Sequence, residues 1–305
     1  MLLEDVLQEF LFHLETKNYS VRTTRGYRNN IKAFMKYITI EYEIEELDEV
    51  KSIHIKGYFL YLKSKGRKET YINSIFKGIR SFFNYCVEED YILTRKNPCL
   101  NVRWMKEAKI IIKTFNDEEV QKMVNSFKMT DYYEARNKLI MMVLVDTGIR
   151  NLELCTLTME NILETTMIIE GKGNKQRYLY LSPMLKKYMI KYERIRNHYF
   201  KDSLMRYSNY FLSIRGKPLT VEAIQRVVRL AGGNAKVRAD IRCSPHTLRH
   251  YFAQKQLQGG LDVYSLSRLL GHEDISITKR YLQSIEDSRI IDIAVKTSPL
   301  MNLKF

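Results

Sequence analysis

From Leu2 to Glu89 the apolar residues recur at helical spacing with only short interruptions, which confines the start of the chain to a helical bundle. Leu3, Val6, Leu7, Phe10, Leu11 and Leu14 predict a helix over Leu2–Lys17. Ser20 is placed to cap a second helix, whose Tyr27, Ile31, Phe34, Met35 and Ile38 share one face. Two more helices are expected over Ser52–Ser64 and Lys68–Glu89. Asn97-Pro98 closes the array, because proline lacks an amide N–H and disfavours helix at the residue before it.

A second domain opens near residue 116. Asn116 and Glu119 have capping-box spacing, and Phe115 and Val120 are placed to form a hydrophobic staple. Helices follow over Asp117–Phe127 and Asp131–Thr147, with Gly148 where a left-handed residue ends the second. After a short helix near Leu152 the texture changes. Met167–Glu170 and Arg177–Leu181 read as strands joined by the turn Gly171-Lys172-Gly173-Asn174-Lys175. Helices resume over Pro183–Tyr199, Val221–Ala231, His246–Leu257, Val263–Leu270 and Ile275–Gln283. The expected fold is therefore mainly α: an N-terminal helical bundle, then a mostly α domain with a small antiparallel β-sheet. Its boundaries are 1–105 for the bundle, 106–115 for a linker, 116–284 for the second domain and 285–305 for a tail.

Charge narrows the partner. With Lys+Arg 50 against Asp+Glu 35 the net charge is +15, which favours a polyanion. Residues 1–110 hold 19 basic and 15 acidic residues and 111–305 hold 31 and 20, so both parts are positive. Arg22, Arg25, Arg28, Lys32 and Lys36 follow steps of three and four and form one stripe beside the apolar face of the second helix. An isolated stripe of this kind is usually a solvated face. Here it has no acidic residue within it, and Lys63, Lys65, Arg67 and Lys68, with Lys77 and Arg80, add basic groups to the same bundle. Phosphate contact by these residues is the expectation.

Other classes recede. Glu4 and Asp5 oppose the basic start of a secretory signal, and Leu139–Val145 is too short to cross a bilayer. Cys86, Cys99, Cys155 and Cys243 are scattered without a CxxC pair, so a reducing cytoplasm is expected and neither zinc nor a disulfide framework is indicated. His246 and His250 stand four apart, but without an HExxH glutamate or an evident third ligand no metal site is expected.

Four stretches concentrate reactive groups: Thr147-Gly-Ile-Arg150-Asn-Leu-Glu153, Gly171-Lys172-Gly173, Ser244-Pro-His246-Thr-Leu-Arg249-His250, and Leu270-Gly271-His272 with Tyr281 nine residues beyond the histidine. Ser244 and Pro245 suit N-cap and N1, which puts His246 and Arg249 on one face of a first helical turn. Each stretch alone is weak: such an arginine usually caps or pairs, such a lysine is solvated, and such a tyrosine is core. In this order, however, they resemble the active-site boxes of the tyrosine recombinases, the phage integrase family. Arg150 and Glu153 match its first box, Lys172 its hairpin lysine, His246 and Arg249 its His-x-x-Arg box, and His272 and Tyr281 its last. Lys175 and Arg177 lie close enough that motif alone selects Lys172. Gln283 stands where many relatives carry histidine. Ser20, Thr23, Tyr27, Ile31 and Phe34 also resemble the family's core-binding domain, so the likeness spans nearly the whole chain.

The resemblance implies a reaction that needs no cofactor. Tyr281 would attack a DNA phosphodiester, expel the 5′-oxygen and store the bond as a 3′-phosphotyrosyl ester. Arg150 and Arg249 would clamp the transition state, supported by Glu153. Lys172 would protonate the leaving oxygen, His246 would act as acid/base partner, and His272 would hydrogen-bond the phosphate. Partners would be duplex DNA with specific sites, a C-shaped grip by two domains, three further copies in a tetramer, and an accessory DNA-bending or directionality factor. No membrane is implied. The apolar tail (Ile290, Ile291, Ile293, Ala294, Leu300, Met301, Leu303, Phe305) would dock on a neighbouring copy or on its own domain. Integration and excision of a mobile element is the expected role, with Xer-type dimer resolution as the alternative. A type IB topoisomerase and a non-catalytic DNA-binding regulator are the remaining readings.

Overall fold

A computed structural model describes residues 1–108, 112–171, 176–203, 206–282 and 295. The chain divides into two compact units, Met1–Lys109 and Ile110–Phe305.

The first unit holds α1 (Leu3–Thr16), α2 (Val21–Tyr42), α3 (Ser52–Ser64) and α4 (Glu69–Glu88). Ser20 caps α2 by accepting the Thr23 N–H at 3.2 Å. One apolar stripe per helix enters a common core, with Val6, Leu7, Phe10, Ile31, Phe34, Ile38, Ile55, Ile72, Phe76, Ile79, Phe82 and Phe83 buried. Burying the apolar stripe of α2 turns its neighbour outward: Arg22, Arg25, Arg28, Lys32 and Lys36 are all exposed, as are Lys77 and Arg80 on α4. The stripe is not wholly free of acid. Lys32 pairs with Glu4 of α1 at 2.7 Å, a contact that packing two helices creates and that the sequence of α2 alone does not show.

The chain after Pro98 stays attached to this unit. The Asn73 side chain accepts the Met105 N–H and donates to the Met105 carbonyl, both at 2.9 Å, and to Glu107 at 2.7 Å. Trp104 lies edge-on to Phe76, with the Arg80 guanidinium 6.0 Å from its ring. At the other end of the expected linker, Phe115 is buried in the core of the second unit and the Thr114 hydroxyl donates to the Thr247 carbonyl.

The second unit comprises α5 (Asp117–Asn125), α6 (Tyr132–Thr147), α7 (Asn151–Thr156), β1 (Thr166–Glu170), β2 (Gln176–Tyr180), α8 (Pro183–Tyr199), α9 (Val221–Asn234), α10 (Pro245–Gln258), α11 (Val263–Leu270) and α12 (Ile275–Lys279). Helix α6 is buried on nearly all sides and packs against α5, α8, α9 and α10, so it is the axis of the unit. Gly148 ends it at φ +59°, and a Cβ there would lie 2.4 Å from Phe252 Cδ1. Gly148→Ala is therefore expected to cost ~1–2 kcal/mol in backbone conformation alone, with the clash added. Urea denaturation that gives an unchanged midpoint would contradict this.

The strands pair antiparallel with Met167 opposite Leu179 and Ile169 opposite Arg177. Side chains alternate between faces along a strand, so Arg177 shares the inward face with Leu179. Helix α12 is shorter than periodicity predicts. It stops at Lys279, so Tyr281 lies in the turn beyond it, where the amide of Tyr281 still donates to the Thr278 carbonyl. Among the described residues no helix is long and apolar enough to cross a membrane.

Candidate active site

The end of α11 builds the site. A helix leaves its last carbonyls without internal partners and carries partial negative charge there. Gly271, at φ +63°, turns the chain out of α11, and three successive carbonyls accept from three guanidinium groups. Arg177 Nε donates to Leu269 O at 2.9 Å, Arg249 Nη2 to Leu270 O at 2.6 Å, and Arg150 Nη2 to Gly271 O at 2.5 Å.

Each arginine arrives by a different local route. Arg150 follows the left-handed Gly148 and begins α7; its N–H and Nη1 both donate to Glu153, each at 2.9 Å. Arg249 rides the first turns of α10, which Ser244 caps and Pro245 opens, and its Nη1 donates to Gly148 O at 2.7 Å. Arg177 points inward from β2 and binds Glu153 through both terminal nitrogens, at 2.8 and 2.7 Å. Such fork-to-fork pairing fixes a guanidinium in direction as well as place.

The electrostatics follow. Burial opposes ionisation of Glu153, but the hydrogen bonds and charge of Arg177, with the Arg150 contacts, outweigh it and hold the carboxyl at about 2. Burial, then the like charge of Arg150, lowers the Arg249 guanidinium to about 10, so it remains a cation near neutrality. Three guanidinium groups face one carboxylate, and the surplus positive charge suits an anion. Arg249 is only 4% exposed, whereas 40% of the Arg150 side chain is open to solvent.

Two histidines and the tyrosine complete the cluster. His272 Nε2 lies 3.1 Å from Arg249 Nη2, and its Nδ1 lies 2.7 Å from the buried Thr278 hydroxyl. Since arginine only donates, Nε2 accepts and the proton is assigned to Nδ1. Burial and then Arg249 and Arg150 lower this imidazole to about 4, so it is neutral. In this geometry His272 steers Arg249; its Nε2 carries no proton to offer a phosphate. His246 is exposed at its outer edge and meets His250 edge-to-face, with ring centroids 4.1 Å apart. Desolvation of its inner side, then Arg249, Arg280 and Arg242, lower its pKa. Tyr281 is 3% exposed, and its hydroxyl lies 2.8 Å from His250 Nδ1. Burial raises the phenol, while Arg249 and Arg280 pull the other way.

Arg150, Glu153, His246, Arg249, His272 and Tyr281 are thus brought into one constellation in the second unit. Lys172 lies outside the described residues, as does the tail apart from Val295. Arg22, Arg25, Arg28, Lys32, Lys36, Lys77 and Arg80 belong to the other unit. Sequence reasoning gave Arg177 no role, set His250 aside as a metal ligand and passed over Thr278. Period two along β2 was the signal for Arg177, and spacing of four from His246 was the signal for His250. Among the described residues no group of three or more His, Cys, Asp or Glu is placed to hold a metal ion.

Known proteins carry similar chains. Residues 113–287 match the model of the Phage integrase family, and residues 7–90 that of the Phage integrase N-terminal SAM-like domain. Tyrosine recombinase XerD of Halalkalibacterium halodurans is 29% identical over 299 residues, covering 96% of this chain and 97% of the relative. The XerH site-specific recombinase, bound to palindromic difH substrate in a post-cleavage complex, has the same fold at TM-score 0.74. It is 20% identical, over 91% of this chain and 80% of that one. The Tn1549 transposon integrase, in complex with transposon right end DNA, matches at TM-score 0.73 with 17% identity, over 98% and 100% of the two chains. With residues 113–287, more than half of its length, matched to the model of one family, the chain belongs to the phage integrase family.

Proposed function

We propose that this tyrosine recombinase cuts and rejoins duplex DNA at specific sites, with Tyr281 as nucleophile and Arg150, Lys172, His246, Arg249 and His272 serving the reaction. The observation that carries this reading is the trio of guanidinium groups fixed by the α11 carbonyls and Glu153 beside a buried tyrosine. Oriented cations of this kind stabilise charge that grows on the non-bridging oxygens of an attacked phosphate without reorganising first. Tyr281 Oη bonds to phosphorus, the 5′-oxygen leaves with a proton from Lys172, and a 3′-phosphotyrosyl ester remains. Attack by a 5′-hydroxyl from a second strand reverses the step and completes exchange. His246, at the open edge, serves as acid/base partner, and His272 holds Arg249 in line. No cofactor enters this scheme.

DNA is gripped by both units, the first through its exposed basic stripe. Arg25→Ala is expected to weaken binding to all sequences alike and to lower the slope of log K against log salt by roughly 0.9. An unchanged slope would remove Arg25 from the phosphate contacts.

Four active sites are required to exchange two duplexes, so a tetramer on paired sites is the working assembly, with an accessory bending or directionality factor as a further partner. The apolar tail at 285–305 docks on a neighbouring copy. Its deletion is expected to impair cooperative site occupancy more than folding of the single chain, and fully cooperative binding by the truncated protein would refute docking between copies.

The biological setting is integration and excision of a mobile element or, alternatively, Xer-type dimer resolution. The XerD name of the relative favours the second. The deciding experiment traps the wild-type protein covalently on DNA and maps the attached sites and the modified residue. Attachment through Tyr281 at paired sites with strand exchange supports the proposal; relaxation of any supercoiled plasmid without exchange points to a type IB topoisomerase.

A further inference from the structure

The hydroxyl of Tyr281 is not left to bulk water. It lies 2.8 Å from Nδ1 of His250, a residue outside the motif that identified the other site groups. His250 is half-buried one turn after His246, and its ring stands at 59° to that of Tyr281. With Tyr281 3% exposed, a proton leaving Oη needs an acceptor inside the protein. We propose that His250 is a catalytic residue of strand cleavage, the base that receives the proton of Tyr281. The inference rests on Tyr281 being the nucleophile.

In the Nε2–H tautomer, Nδ1 presents a lone pair to the phenol. As the bond from Oη to phosphorus forms, the O–H proton passes to Nδ1, and the bond from phosphorus to the 5′-oxygen breaks. That oxygen departs with a proton from Lys172. His250 is then an imidazolium beside the anionic phosphodiester. In the rejoining step the imidazolium returns its proton to Oη as the phosphotyrosyl bond breaks, so one group serves both directions.

The surroundings fit both halves of the cycle. His246 and Arg249 on α10, His272 from the turn after α11, and Arg280 and Tyr281 beyond α12 all act on His250. Burial first, and then His246, Arg280, Arg249 and His272, lower it to about 4, so it is neutral and able to accept near pH 7. An arriving phosphate offsets Arg249 and Arg280 and raises the proton affinity of His250 when cleavage needs it. Phenol acidity also rises steeply as Oη bonds to phosphorus, so transfer is concerted with attack and does not require a free tyrosinate.

A contact that merely steadied the ring would behave differently from a base, and two measurements separate them. His250→Asn keeps an acceptor near the position of Nδ1 but takes up no proton. On a nicked duplex of the site recovered by wild-type trapping, it is expected to bind as the wild type does and to cleave slower by on the order of 10²–10⁴-fold. The fall in wild-type rate at acid pH should vanish in the variant. Wild-type rate with the acid limb retained overturns the proposal. The second measurement leaves His250 in place and replaces Tyr281 with 2,3,5-trifluorotyrosine. With a base at hand the neutral-pH rate changes little, whereas a rise in full proportion to phenol acidity means that tyrosinate forms without His250 and also overturns it. A covalent complex from Tyr281→Phe is a separate outcome, which defeats the nucleophile assignment itself.

Discussion

Tyr281→Phe is expected to abolish covalent attachment to DNA while leaving site binding close to that of the wild-type protein. The substitution removes one oxygen and keeps the ring that packs with Phe252, Ala253, Leu257, Leu266 and Leu270. Losing the hydrogen bond to His250 costs about 0.5–1.5 kcal/mol of stability, too little to unfold a domain with this core. The exposed arginines and lysines proposed to contact DNA are untouched, so affinity has no reason to fall. Chemistry, by contrast, loses the oxygen proposed to attack the phosphate. The measurement is denaturing electrophoresis of protein with labelled site DNA beside a binding isotherm of the same preparation. A covalent band from the variant would sink the assignment.

The largest effect on stability is expected at Glu153. It is 8% exposed and satisfies both terminal nitrogens of Arg177 together with the main chain and side chain of Arg150. Glu153→Gln leaves the Arg177 guanidinium, whose side chain is 12% exposed, without a counter-charge. Removing one partner of a buried pair typically costs about 3–5 kcal/mol, because the other charge remains desolvated. The same residue gives a pH signature. Its folded-state pKa of about 2 lies below the ordinary 4.5, so its stabilisation is complete above pH 4.5 and drains away as pH falls toward 2. Wild type and Glu153→Gln should therefore differ most near neutrality and converge in acid. Urea unfolding at several pH values tests this, and a gap that stays constant down to pH 2 would contradict it. Activity should fall too, since Arg150 and Arg177 lose the anchor that aims them.

Much of the local structure was legible because its causes are local. Ser20, Asn116 and Ser244 cap α2, α5 and α10 with their own side chains, and the left-handed Gly148 ends α6. Ser20 marked the start of α2, and periodicity located α1, α3 and α4 within a residue at each end. It failed at the end of α12, where apolar spacing continues past Lys279 but the helix does not. The basic stripe was legible as a stripe, yet the Lys32–Glu4 pair across it was not, because the acid comes from another helix. Motif order selected the residues proposed to carry the reaction. It gave no role to Arg177, which looked like a rival to Lys172, and it left His250 as a rejected metal ligand.

What the sequence determined by itself is the inventory: which segments are helices and strands, which faces are apolar or basic, and which residues are chemically able to act on a phosphate. Those properties depend on neighbours within about one helical turn. The tertiary structure decided who meets whom. Arg177, Arg249 and Arg150 reach the end of α11 across 92, 21 and 121 residues of chain, and Tyr281 reaches His250 across 31. No local pattern encodes such distances. They follow from packing around α6, which brings the unpaired carbonyls of one helix end to three guanidinium groups that would otherwise repel one another.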